Sequence, residues 1–95
     1  MAKGYWIGHI TVTDPAAYER YKAANAIPFD KYGGRFIVRG GRFECLAGKA
    51  RERHVVIEFD SFEAALACYN SPEYRDAQKW QTASSDNDII VVEGI

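Results

Sequence analysis

Residues 53–59 alternate in the way that carries most of the reading: Val55, Ile57 and Phe59 point to one side of an extended chain, and His54, Val56 and Glu58 to the other, with Asp60 continuing that second set. The first side is wholly apolar. The second mixes hydrocarbon with charge. Residues 5–13 alternate aromatic and β-branched types and predict another strand, 35–39 a third, and 89–93 a short last one. Gly40 and Gly41 interrupt the strand pattern before 42–46 resume extended character, and a polar turn over 47–51 then predicts a hairpin into 53–59.

Between the strands the period changes. Asp14 is placed to cap a helix and Pro15 suits its first turn, where a missing N–H costs nothing. Ala17, Tyr18, Tyr21, Ala24 and Ile27 recur at three- and four-residue steps as its apolar stripe. Pro28 predicts a kink or restart before Tyr32, and Gly33-Gly34 a stop. A second helix is capped by Asp60 or Ser61 and buries Phe62, Ala65, Leu66 and Tyr69. Ser71-Pro72 opens a further helical stretch to about Ala83, and Asp86-Asn87-Asp88 reads as a polar turn. The order is strand, helix, strand, strand, helix, strand, which is the α+β, ferredoxin-like βαββαβ pattern: a four-stranded antiparallel sheet with its helices on one face. One domain spans residues 1–95.

Extending the alternation to every strand places Trp6, Ile10, Val12, Phe36, Val38, Val55, Ile57, Phe59, Ile90 and Val92 under the helices. Tyr5, Ile7, His9, Thr11, Ile37, Arg39, His54, Val56, Glu58, Ile89, Val91 and Glu93 fall on the opposite face. Leaving Ile7, Ile37, Val56, Ile89 and Val91 in water forfeits about 1.5–3 kcal/mol for each that burial would otherwise stabilise. Their sum is comparable with the ~4–15 kcal/mol that association costs in lost freedom. The expectation is a homodimer in which two sheets face each other.

Composition narrows the partners. A net charge of −1 with lysine and arginine scattered along the chain gives no basic stripe for nucleic acid. No run is apolar enough to span a bilayer, and Met1-Ala2-Lys3-Gly4 leads almost directly into a strand without a leader-like segment. Cys45 and Cys68 have no CxxC spacing and read as small buried hydrophobes in a reduced, cytoplasmic protein.

Charged groups inside an enclosed face must pair, meet a ligand or change protonation. Arg39 and Glu58 are the expected pair, either as an ion pair lining the cavity or as an arginine that grips a substrate carboxylate or carbonyl while Glu58 holds its fork. His9 and His54 are the two histidines, each suited to general-base work. The catalytic candidates are therefore His9, Arg39 and Glu58. Tyr5, His54, Tyr69, Tyr74 and Glu93 are the ligand-binding candidates, Tyr69 and Tyr74 because they bracket a helix break. His54 and Glu58 stand about 13 Å apart along one strand and cannot converge on one ion, so no metal is expected, and no cofactor motif is present.

In combination, Thr13-Asp14-Pro15, Tyr32-Gly33-Gly34-Arg35-Phe36, Val38-Arg39-Gly40-Gly41, Val56-Ile57-Glu58-Phe59, Tyr69-Asn70-Ser71-Pro72-Glu73-Tyr74 and Val92-Glu93-Gly94 resemble domain-of-unknown-function family 1330 over essentially the whole chain. The resemblance implies the dimeric α/β-barrel superfamily, whose fold is ferredoxin-like and whose two sheets face each other. That superfamily includes cofactor-independent monooxygenases, haem-degrading proteins and lactone isomerases acting in a cavity between sheet and helices. Family members often carry an arginine late in the second helical region, where this chain has Gln81 beside Lys79. Three readings stay open: a small enzyme acting on an apolar or aromatic carbonyl or acid metabolite, a binding module for such a molecule, and a purely structural dimer.

Overall fold

The computed structural model describes residues 2–95. Strand β1 (Gly4–Val12) leads into helix α1 (Pro15–Lys31), then β2 (Arg35–Arg39), β3 (Arg53–Phe59), α2 (Phe62–Tyr69), α3 (Pro72–Ser84) and β4 (Ser85–Glu93). The four strands form one sheet in the order β2-β3-β1-β4, and every neighbouring pair is antiparallel. This is the expected ferredoxin-like arrangement, with the second helical region divided at Asn70.

Each helix begins as its capping residue dictates. The Asp14 side chain accepts from the Ala17 amide, Ser61 from Ala64 and Ser71 from Tyr74, satisfying N–H groups that the first helical turn leaves free. Pro28 does not restart α1. It sits in the final turn with its ring buried, and its carbonyl accepts from Tyr32, so the helix runs on to Lys31. Gly33, at φ +75°, then reverses the chain as only glycine does without strain. The buried side of α1 is Tyr18, Tyr21, Asn25, Pro28 and Phe29, whereas Ile27 is exposed. Regular helical spacing continues through polar Asn25, and a stripe traced on apolar residues alone drifts off it.

The core lies between the sheet and the helices. Trp6 is its centre, with the Phe29 and Tyr74 rings edge-on at 5.0 and 4.9 Å. Ile57, Phe59, Ala65, Cys68 and Ala77 close around it, and burying aromatic surface of this kind supplies much of a small domain's stability. Cys45, by contrast, is exposed.

Two strands depart from the expected faces, β2 through a bulge and β4 through its phase. In β2 a bulge at Ile37 shifts the register from Phe36↔Ile57 to Val38↔Val56 and Arg39↔Val55. Val38 therefore shares the open face with Val56, and Arg39 turns to the helix side with Val55. In β4, Val91 aligns with Trp6 and Ile89 with Gly8, so Ile89 and Val91 pack on the core while Ile90 and Val92 are 51% and 41% exposed. Asp86, Asn87 and Asp88 belong to this strand rather than to a turn. The Ser84 carbonyl accepts from both Thr13 and Asp14 and pins the strand's start beside the end of β1. Between Arg39 and Arg53 the chain forms no further strand: residues 40–50 are all exposed. Among the described residues no helix is long and apolar enough to cross a membrane.

Candidate functional site

The open face of the sheet is organised in cross-strand rows, because antiparallel register sets side chains of neighbouring strands directly opposite one another. In the first row Tyr5 and Arg35 both stand opposite Glu58. The Tyr5 hydroxyl donates to Glu58 Oε2 at 3.0 Å and Arg35 donates to Oε1. With both oxygens engaged and its side chain only 16% exposed, Glu58 is held below the usual carboxylate range, chiefly by the Arg35 hydrogen bond and then by Tyr5. The same contact raises the Tyr5 phenol. Arg39 and Glu58 do not form the expected pair. The bulge carries Arg39 to the other face, and Arg35 takes the carboxylate instead.

The next row is hydrocarbon: Ile90, Ile7, Val56 and Val38. Beyond it His9 stands between His54 on β3 and Asp88 on β4. The two Nδ1 atoms lie 3.0 Å apart, so one ring donates to the other, while His54 Nε2 is buried with no hydrogen-bond partner. Phe43, from the segment linking β2 and β3, packs edge-on against His54 with ring centres 4.5 Å apart. Arg51 donates from Nε to Asp88 Oδ2 at 2.8 Å and from Nη1 to Thr11 Oγ1 at 3.0 Å, tying that segment's end to the sheet.

The sequence candidates thus separate into groups. Tyr5 joins Glu58, and His9 joins His54, with the apolar row between the pairs. Tyr69 and Tyr74 lie across the sheet in the core. Tyr74 is fully buried, its hydroxyl hydrogen-bonded to that of Tyr21 at 2.8 Å, and burial pushes its pKa far up. Glu93 is exposed at the end of β4, aligned with Gly4 and remote from the histidines. Among the described residues no three His, Cys, Asp or Glu side chains are grouped to hold a metal ion.

Arg39 lies at the mouth of a cavity between sheet and helices, with about 410 Å³ of space measured out to its opening. Its enclosed part, about 20 Å³, has room for one water, and a larger guest must displace the side chains at the mouth. The floor is Trp6, Ile10, Val55 and Ile57. Gly8 leaves the space open: a Cβ there would approach Val55 Cγ2 at 3.0 Å. Polar groups enter from three elements, Asn25 on α1, Gln81 on α3 and Asn87 on β4. The Asn87 Oδ1 is buried without a hydrogen-bond partner, an unusual state for an interior amide.

Lys22, Arg39 and Arg53 complete the mouth. The Arg53 Nε donates to the Tyr18 hydroxyl at 3.0 Å, and the Arg39 guanidinium lies over the Phe36 ring at 4.4 Å. Lys22 meets Glu19. Among the described residues neither guanidinium has a carboxylate within 4 Å. Burial pushes the Tyr21 phenol up to about 12, so it enters the cavity as a neutral hydroxyl. An apolar slot with two uncompensated guanidiniums and several amides favours a small apolar molecule with a negative or strongly polarised oxygen.

Sequence reasoning singled out Arg39 and missed Arg53, Asn25 and Asn87. It placed Gln81 only as the counterpart of another residue. The available signal was polar residues inside otherwise apolar stripes: Asn25 follows Tyr18 and Tyr21, and Gln81 follows Tyr74 and Ala77.

The sequence profile of the family described as "Domain of unknown function (DUF1330)" matches residues 3–95. No curated protein matches the chain. Among solved structures, a protein of unknown function from Rhodopseudomonas palustris is similar at 18% identity and TM-score 0.80, over 99% of this chain and 83% of that one. SnoaB, a cofactor-independent oxygenase from Streptomyces nogalater, is similar at 17% identity and TM-score 0.65, over 97% and 92%. A dimeric protein of unknown function and ferredoxin-like fold from Bacteroides fragilis is similar at 14% identity and TM-score 0.63, over 96% and 95%. At these identities the likeness is one of fold.

Proposed function

The chain belongs to the DUF1330 family, and from that membership together with the cavity we propose a homodimeric protein that takes a small apolar or aromatic acid, or an enolisable carbonyl compound, between sheet and helices. The observation that carries the reading is the pair of guanidiniums, Arg39 and Arg53, without carboxylate partners at the mouth of an apolar slot. A carboxylate or enolate oxygen there gains charge-assisted hydrogen bonds away from bulk water, and the apolar body of the molecule displaces water from Trp6, Ile10 and Val55.

Arg39 keeps the oxyanion-binding role read from sequence. Stabilising an enolate at that point promotes chemistry in the bound molecule itself, as preorganised donors do wherever charge develops. A cofactor-independent oxygenase of related fold is in keeping with that possibility. The cavity's ionisable groups are three cations and two phenols, with no carboxylate or imidazole among them, which favours binding and oxyanion stabilisation over internal general-base catalysis. His9 and Glu58, on the far side of the sheet, are better suited to the face where two copies meet. A binding module without chemistry is the second reading, and the same lack of a base favours it.

A thermal-shift series tests the proposal. Benzoate, salicylate and a hydroxyquinone raise the melting temperature, benzamide does so weakly, and Arg39→Ala loses most of the shift while keeping its fold by circular dichroism. At a hundred times Kd the stabilisation is about 2.7 kcal/mol. Flat melting curves across acids and carbonyl compounds overturn the reading. Product analysis of any stabilising compound under air then separates enzyme from binder.

A further inference from the structure

We infer that residues 41–51 form an arm that clasps a second copy of this chain. The inference rests on the proposed homodimer and specifies what holds it together. Residues 41–50 are all exposed, and among the described residues no backbone hydrogen bond ties 41–52 to the rest of the protomer. A connection of this length without structure of its own is uncommon in a compact domain unless it serves a function. Its composition is wrong for a solvated loop: Leu46 is 87% exposed and Phe43 50%.

The arm also lies on a definite side. Phe43 packs on His54, and Arg51 bonds Asp88 and Thr11, all of which belong to the open sheet face. The root and the end of the arm are thus fastened on the surface where Ile90, Val92 and Val38 stand exposed. Its middle, with Leu46, stays free. Arg42, Glu44 and Lys49 have no charged partner within 4 Å among the described residues, so a facing surface has both signs of charge available to it.

Area gives the arm a task. Four strands about 4.8 Å apart and about seven residues long at 3.4 Å per residue make a footprint of about 450 Å². A specific protein interface buries about 800 Å² on each partner. The sheet face alone falls short, and an exposed arm with Leu46 at its middle, contributed once by each protomer, supplies the missing contact. In a two-fold dimer the clasp is reciprocal.

The test uses the full chain, a Leu46→Asp variant, and a variant in which residues 41–51 are replaced by Asn-Gly. Sedimentation equilibrium over a dilution series reads the dimer Kd, and hydrogen exchange reads the arm amides. Leu46→Asp raises Kd at least tenfold with unchanged circular dichroism, the arm replacement raises it further, and the amides of 44–49 exchange at least tenfold more slowly in the dimer than in the diluted monomer. Unchanged Kd in Leu46→Asp, with arm amides exchanging at unprotected rates in a parent that is dimeric, overturns the clasp and leaves the homodimer intact. A parent that is monomeric at every concentration overturns both. Because Leu46 touches little in the protomer, its variant remains informative if the replacement misfolds.

Discussion

Glu58 and Arg39 show what a single residue's surroundings decide. Both were legible as charged positions on strands, but their pairing depended on one bulged residue that alternation does not reveal, and Arg35 took the carboxylate. Glu58 has a folded pKa below its unfolded value, so its contribution to stability is present above the unfolded carboxylate pKa and fades as pH falls through the lowered folded one. Comparing urea unfolding of the parent and Glu58→Gln from pH 7 downward, the parent is more stable near neutrality. The difference closes below the ordinary glutamate range, and a gap that widens on acidification contradicts the assignment. Cysteine reactivity follows the same logic. Burial pushes Cys68 up to about 12, leaving it a protonated thiol, whereas Cys45 lies open. At pH 8 an aromatic disulfide reagent labels one thiol promptly and the second only in denaturant. Asn25 and Gln81 were hidden from sequence reading because a polar residue on an apolar stripe is ordinarily taken as the stripe's edge; only the cavity gives the amides something to face.

At the scale of elements, strands β2 and β3 and the capped helix starts were readable because each is marked by turn or cap chemistry at its ends. Strand β4 was readable in kind but not in phase. Ile89-Ile90-Val91-Val92 is apolar on both sides, so alternation carries no information about which side faces the helices. The register comes instead from the Ser84 carbonyl and from Ser85, where α3 passes straight into the strand. Ser71 is the joint between α2 and α3: its buried hydroxyl donates to the Cys68 carbonyl at 2.7 Å and accepts from the Tyr74 amide at 3.1 Å. Ser71→Ala should cost about 1 kcal/mol, the usual worth of a helix cap. In a domain of this length that lowers the melting temperature by about 4–8 °C. A calorimetric change under 1 °C contradicts the cap's importance.

For the whole molecule, a two-faced sheet was visible from alternation and gave the expectation of a partner, while the identity of the covered residues was corrected by the bulge and by β4. Ile90, on the open face and half exposed in the protomer, is the sharpest probe of assembly. Ile90→Lys leaves the helix-side core untouched and should shift the population toward monomer in size-exclusion chromatography with light scattering. The expected loss is about 1.5–3 kcal/mol per buried side chain, a 10- to 150-fold rise in Kd for each copy of the contact. An unchanged elution profile at micromolar concentration contradicts a sheet-to-sheet dimer.

The bulge at Ile37 has one more consequence. Arg35 and Arg39 are four residues apart, a spacing that would ordinarily aim both in the same direction, yet one holds Glu58 on the open surface and the other guards the aromatic slot. A five-residue strand thereby carries two separable traits. Under the proposed function, substitution at Arg39 alters ligand preference without disturbing the Arg35–Glu58 contact, and substitution at Arg35 leaves the mouth of the slot alone.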